Sequence, residues 1–142
     1  MDWAKKRPGV RADRVGANGW CWGGSTTIQV AAANPDVKAA VAWYGPPGRP
    51  YQSASGPITG FDVVKDIKGP FLGLFGEKDT NPKPEDAVQF GDLLKQHNPR
   101  TDVVLFPAGH GFHADYRQSY DPASAGQAWK MCLEFFEKNL KT

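Results

Sequence analysis

The chain has 142 residues, 40% of them hydrophobic and 23% charged, which excludes general intrinsic disorder and fits one globular domain spanning 1–142. Seventeen Lys and Arg against fifteen Asp and Glu leave a formal charge of +2, too little to indicate nucleic acid or an anionic membrane as partner. Two cysteines, Cys21 and Cys132, are too few for a disulfide framework. The apolar run Ala39 to Tyr44 is far short of a membrane span. The segment Met1 to Pro8 lacks the apolar core of a secretion signal, so a reducing, cytoplasmic setting is expected.

In chain order, the first apolar run is Arg14–Asn18, read as a short buried strand. A helical pattern follows over Ser25–Ala33, with Ile28, Ala31 and Ala32 on one face, and stops at Asn34-Pro35. Val37–Tyr44 is the second strand. Gly45 to Gly69 is rich in glycine and proline and reads as a functional loop or mobile segment. Pro70–Phe75 is the third strand. Pro84–His97 is a helix with proline in its first turn and Ala87, Phe90 and Leu94 at helical spacing. Thr101–Phe106 is the fourth strand. The last helix, Pro122–Leu140, carries Ala125, Trp129, Cys132, Leu133, Phe136 and Leu140 on one stripe. Strands alternating with helices imply parallel pairing with helices packed on the sheet, an α/β fold.

The sharpest local signal is Gly19-Trp20-Cys21-Trp22-Gly23-Gly24, between a strand and a helix. A nucleophile on such a turn is pushed clear of the sheet, and small residues two before and two after it let backbone come close. The following helix lowers a thiol pKa through its free N–H groups and dipole. The Trp22 N–H is placed to donate to an oxyanion on the substrate. A thiol nucleophile needs a base and an orienting acid. Of three histidines, His97 closes an amphipathic helix and reads as solvated, His110 follows a strand's carboxyl end, and His113 is the weaker candidate base. Asp79 follows the third strand. Alone it reads as a turn or cap residue. Together Cys21, Asp79 and His110 fall in the nucleophile, acid, base order of the α/β-hydrolases, each just past a different strand.

At Gly19-Trp20-Cys21-Trp22-Gly23-Gly24, Leu74-Phe75-Gly76-Glu77-Lys78-Asp79 and Pro107-Ala108-Gly109-His110-Gly111-Phe112, the chain resembles the dienelactone hydrolases (carboxymethylenebutenolidases). Ala128-Trp129 and Phe135-Phe136 in the last helix fit as well. The resemblance implies Cys21 as nucleophile, Asp79 as acid and His110 as base. It implies hydrolysis of a small ester or lactone through an acyl-cysteine, without metal or cofactor. Family members carry roughly as much chain again before the elbow, with the first strands, the second oxyanion donor and a glutamate that helps activate the cysteine. None of these maps onto Met1–Arg14. The expected architecture is therefore a partial α/β-hydrolase fold of about four parallel strands with flanking helices, lacking the N-terminal strands. Family arginines hold a substrate carboxylate, one of them shortly after the base; Arg117 is close in sequence but at a different offset.

In such a half-fold the Cys21 strand becomes an edge, and exposed edges and apolar faces invite pairing. A homo-oligomer through that edge is the expectation. Trp20, Trp22, Trp43 and Tyr44 are the aromatic candidates for an apolar acyl pocket, plain core being the commoner role for such rings. A partner chain, Ser25 or a water is a candidate for the second oxyanion donor. The alternative reading is a weak or inactive hydrolase-like scaffold that binds a small molecule or partner chain. A redox protein is disfavoured because no C-x-x-C accompanies Cys21.

Overall fold

The four apolar runs pair edge to edge in the computed structural model, which describes residues 2–141. In chain order the elements are α1 (Asp2–Lys5), β1 (Val15–Trp20), α2 (Trp22–Ala33), β2 (Val37–Trp43), β3 (Tyr51–Ser53), β4 (Gly56–Ile58), β5 (Phe71–Gly76), α3 (Pro84–His97), β6 (Thr101–Phe106) and α4 (Pro122–Phe136). The main sheet is parallel with order β1-β2-β5-β6, so each crossover leads to the adjacent strand. Helices cover it on both sides, as parallel sheets require.

Strand alternation divides the core in two. Ala40 and Ala42 of β2 and Phe71 of β5 point toward α2 and α3, meeting Ile28, Phe90 and Leu94. Val41, Trp43, Leu72 and Leu74 point the other way, meeting Phe106, Phe112, Ala128 and Cys132 under α4. Each of these residues is at most 3% exposed, which explains why the inner strands read as continuous apolar runs.

Five elements differ in their bounds from the sequence reading: β2 ends at Trp43, not Tyr44, and β5 is Phe71–Gly76, not Pro70–Phe75. β1 runs to Trp20, not Asn18, because Gly19 and Trp20 continue the ladder opposite Ala42 and Trp43. α2 begins at Trp22, with two glycines in its first turn, because the elbow and not helix propensity sets its start. α4 ends at Phe136, and Glu137–Lys141 forms a wider π turn. At its start, Asp121 accepts from the Ser124 N–H at 2.8 Å, ahead of Pro122.

The glycine- and proline-rich stretch is ordered. β3 and β4 form an antiparallel hairpin, and a 3-10 turn at Phe61–Asp66 follows. The Gly60 N–H donates to the Pro47 carbonyl at 2.7 Å, and Phe61 meets Phe90 edge-on at 6.0 Å, which ties the loop to the core. α1 is pinned by an ion pair from Lys5 to Asp36.

β1 lies at one edge of the sheet, with Gly16, Asn18 and Trp20 exposed. Trp129 and Leu133, expected on the buried stripe of the last helix, are 40% and 50% exposed because no described element covers that flank. Among the described residues no helix is long and apolar enough to cross a membrane.

Candidate active site

The elbow is built by close backbone contacts. Cys21 has φ 55° and ψ −118°, and its N–H donates to the Trp43 carbonyl at 2.9 Å, one residue beyond the end of β1. A Cβ on Gly19 would lie 2.2 Å from the Gly23 carbonyl oxygen, and one on Gly24 would lie 2.6 Å from the Trp43 oxygen. Gly23, two residues after the cysteine, faces open space. The small residues this turn demands are therefore Gly19 and Gly24. The second half of the expected spacing is displaced by one position.

Asp79 lies past the end of β5, in a loop tied to the one after β6. There Glu77 and Lys78 donate to the carbonyls of Phe106 and Ala108 at 2.8 and 3.0 Å. Its side chain is fully buried and both oxygens are used. Oδ1 accepts from the Asn81 N–H at 2.8 Å and Oδ2 from His110 Nδ1 at 2.9 Å. The turn role that the sequence offered as an alternative for Asp79 is present too, and it locks the carboxylate toward His110. His110 Nε2 then reaches Cys21 Sγ at 3.2 Å. Three residues from three separate loops form one continuous hydrogen-bonded row.

The electrostatics follow from this row. Burial alone would raise the Cys21 thiol, but the His110 hydrogen bond, a backbone hydrogen bond from Trp22, and the His110 and Arg117 charges together hold it below its ordinary value. The Asp79 hydrogen bond is the foremost cause lifting His110 to about 9; burial opposes it, and Cys21 adds to it. The same contact lowers the thiol and raises the imidazole, so both shifts run toward the thiolate–imidazolium form of the pair.

The other expected residues divide clearly. The Trp22 ring is 56% exposed, with the Arg49 guanidinium 6.0 Å from its centroid, while its backbone serves Cys21. Tyr44 is 3% exposed and meets His110 edge-on at 5.2 Å. Arg117 is exposed, and its charge acts on both Cys21 and Tyr44. Trp20 has Trp43 and His113 as ring partners, at 5.7 and 6.0 Å, and Trp43 is fully buried core. His113 packs 4.5 Å from Trp43, and its burial lowers its pKa. His97 is exposed at the end of α3. Ser25 Oγ is committed to the Pro46 carbonyl at 2.8 Å, which removes it as a free oxyanion donor. Burial holds the Cys132 thiol at about 11, the state of an inert core cysteine. The sequence reading missed the Asn81 N–H; the signal was the Asp-x-Asn spacing of a side-chain turn ahead of a proline.

Among the described residues no group of three or more His, Cys, Asp or Glu could hold a metal ion. A cavity of about 390 Å³ opens beside the loop that carries Asp79, walled by Pro46, Pro47, Pro50 and Pro82 with Arg49 and Asp86. A larger hollow of about 560 Å³ along α3 contains none of the candidate residues.

A parallel sheet with helices on both faces, and a strained turn between its first strand and the following helix, defines an α/β-hydrolase fold. Solved structures agree: an acylaminoacyl peptidase from Pyrococcus horikoshii superposes with a TM-score of 0.81 at 19% identity, covering 99% of this chain and 26% of that one, a likeness of fold alone. The chain belongs to the dienelactone hydrolase family, whose profile matches residues 1–140. Proteins from Escherichia coli (strain K12) and Salmonella typhimurium, each named "Putative carboxymethylenebutenolidase", are 39% and 42% identical over 96% and 94% of this chain. A crystal structure of a "Putative Dienelactone Hydrolase" from Klebsiella pneumoniae has a TM-score of 0.86 at 39% identity, over 95% of this chain and 56% of that one. The chain spans about half the length of the curated relatives it matches.

Proposed function

We propose that this chain hydrolyses small esters or lactones through an acyl-cysteine intermediate, with Cys21 as nucleophile, His110 as acid and base, and Asp79 as the orienting acid. The observation that carries the proposal is the unbroken row from Asp79 Oδ2 through the His110 ring to Cys21 Sγ, at 2.9 and 3.2 Å. The Cys21 thiolate adds to the carbonyl carbon, and the carbonyl electrons move to oxygen, where the Trp22 N–H donates. As the carbon–oxygen bond to the leaving group breaks, His110 gives that group its proton. The neutral imidazole then takes a proton from water, the resulting hydroxide adds to the thioester, and the thiolate leaves. No cofactor enters these steps. Arg117, whose charge acts on Cys21, supplies a positive field for an anionic substrate or oxyanion.

p-Nitrophenyl acetate turnover tests the reading. Cys21→Ala and His110→Ala should each abolish it, whereas His113→Phe, which keeps a ring against Trp43, should retain most of it. Unchanged turnover in Cys21→Ala refutes the proposal.

We propose a second copy of the chain as the partner of the β1 edge, which no strand pairs among the described residues, and of the exposed Trp20, Trp129 and Leu133. A reducing, cytoplasmic setting would keep the Cys21 thiol free.

A further inference from the structure

Among the described residues, two other than glycine have a positive φ: Cys21 at 55° and Tyr44 at 36°. They are lateral neighbours, because Trp20 of β1 is in register with Trp43 of β2 and each strained residue comes next. A bulky aromatic residue has little reason to occupy this region unless its surroundings impose it, and such imposed conformations gather at functional sites.

The surroundings do impose it. The Tyr44 N–H donates to the Leu74 carbonyl at 2.8 Å, which fixes the start of the turn. Gly45 packs so tightly on the elbow helix that a Cβ there would lie 2.3 Å from the Ser25 nitrogen. Ser25 Oγ holds the next carbonyl, that of Pro46, at 2.8 Å. The same helix that presents Cys21 therefore clamps the turn that presents Tyr44.

The clamp aims a ring whose polar end is unused. Tyr44 is 3% exposed and lies edge-on to His110 and Phe112, at 5.2 and 5.3 Å. A buried tyrosine normally pairs its hydroxyl. Here no described residue bonds it, and its oxygen is not among the sealed, unpartnered atoms of the interior. Burial first, and the Cys21 charge second, hold the phenol well above its ordinary value, so it stays a donor. Arg117 also acts on this phenol, as it does on Cys21.

We propose that the Tyr44 hydroxyl donates a hydrogen bond to the carbonyl oxygen of the acyl group carried by Cys21, and with the Trp22 N–H forms the oxyanion site within this chain. The role rests on the acyl-transfer reading above. When the sulfur–carbon bond forms and the carbonyl pair moves to oxygen, the new anion accepts from the phenol O–H and the Trp22 N–H. No proton changes owner, and both bonds lengthen again when the carbonyl re-forms.

Tyr44→Phe in the full chain tests it, because it deletes one oxygen that bonds no described residue. Three readouts separate the possibilities: p-nitrophenyl acetate turnover, capture of a trifluoromethyl ketone as a hemithioketal followed by fluorine NMR, and alkylation by iodoacetamide. Alkylation displaces iodide at a saturated carbon and forms no oxyanion, so it also reports an intact elbow. The expected result is a fall in kcat on the order of 10²-fold, the scale for loss of one oxyanion donor. KM should change little, ketone capture should weaken, and the alkylation rate and its pH profile should stay as in the parent chain. Equal turnover and equal ketone capture overturn the role of Tyr44 alone. A parallel loss of alkylation overturns it too, by making Tyr44 a support for the thiolate. A parent chain that is alkylated but neither turns over ester nor captures ketone overturns the acyl-transfer reading and this role together.

Discussion

Asp79→Asn isolates the electrostatic heart of the row. Asparagine keeps an oxygen for the Asn81 N–H but replaces the charged oxygen that meets His110 at 2.9 Å with a neutral amide. Raising an imidazole from its ordinary 6.5 to about 9 corresponds to roughly 3 kcal/mol of preference for the charged ring. The Asp79 hydrogen bond is the foremost cause of that preference, so the substitution should return His110 toward 6.5 and Cys21 toward its ordinary 9.0. A thiol at its ordinary 9.0 is only about 1% ionised at pH 7, so the alkylation rate there should fall as the thiolate fraction returns toward that level. The assay is the pseudo-first-order rate with iodoacetamide from pH 5 to 10. The parent chain's profile should lie at lower pH than that of an ordinary thiol, and the variant's should move up toward the ordinary range. Superimposable profiles would refute the claim that Asp79 holds the pair in its charged form. Stability follows the same signs. His110 is raised in the folded chain, so its contribution is complete below its unfolded value near 6.5 and fades as the pH climbs through about 9. Cys21 is lowered, so its contribution is complete above its unfolded value and fades as the pH drops through the native one.

The two glycines flanking Cys21 should behave oppositely. Gly19→Ala forces a Cβ against the Gly23 carbonyl and should cost about 1–3 kcal/mol by thermal unfolding, with loss of alkylation. Gly23→Ala meets nothing and sits in a helix, so its unfolding midpoint should hold or rise. Light scattering at micromolar concentration should show the parent chain self-associated. Leu133→Glu, on the exposed flank of α4, should shift it toward monomer without touching alkylation; a monomeric parent chain refutes the second-copy assignment.

Much of the fold was legible because β2 and β5 are buried on both faces and so carry unbroken apolar runs. α3 was legible to the residue because Pro84 and the Ala87, Phe90 and Leu94 spacing mark a helix with one buried face. The placement of Asp79 and His110 after successive strands pointed to the row they form. What escaped was tertiary. The hairpin inside the Gly45 to Gly69 stretch uses strands of three residues, one containing Pro57, too short for a periodicity to show. The exposure of Trp129 and Leu133 depends on where the sheet ends, which a helical stripe does not encode. The left-handed turn at Tyr44 depends on Gly45 packing against α2, a contact between distant segments. Gly23 and Gly24 look alike in sequence, and only the position of the Trp43 carbonyl distinguishes them.

The parallel order β1-β2-β5-β6 sets a distance as well as a topology. Strands about 4.8 Å apart put the ends of β1 and β6 on the order of 14 Å from each other, yet residues 21 and 110 touch. The segment after β6 must turn back across β5 and β2 to bring His110 to Cys21; just beyond His110, Gly111 takes φ 77° and Phe112 lies fully in the core. Contact between partners 89 residues apart therefore waits on every intervening strand. Such non-local closures are slow to form. Chemical reactivity at one sulfur thus becomes a gauge of the whole molecule's assembly.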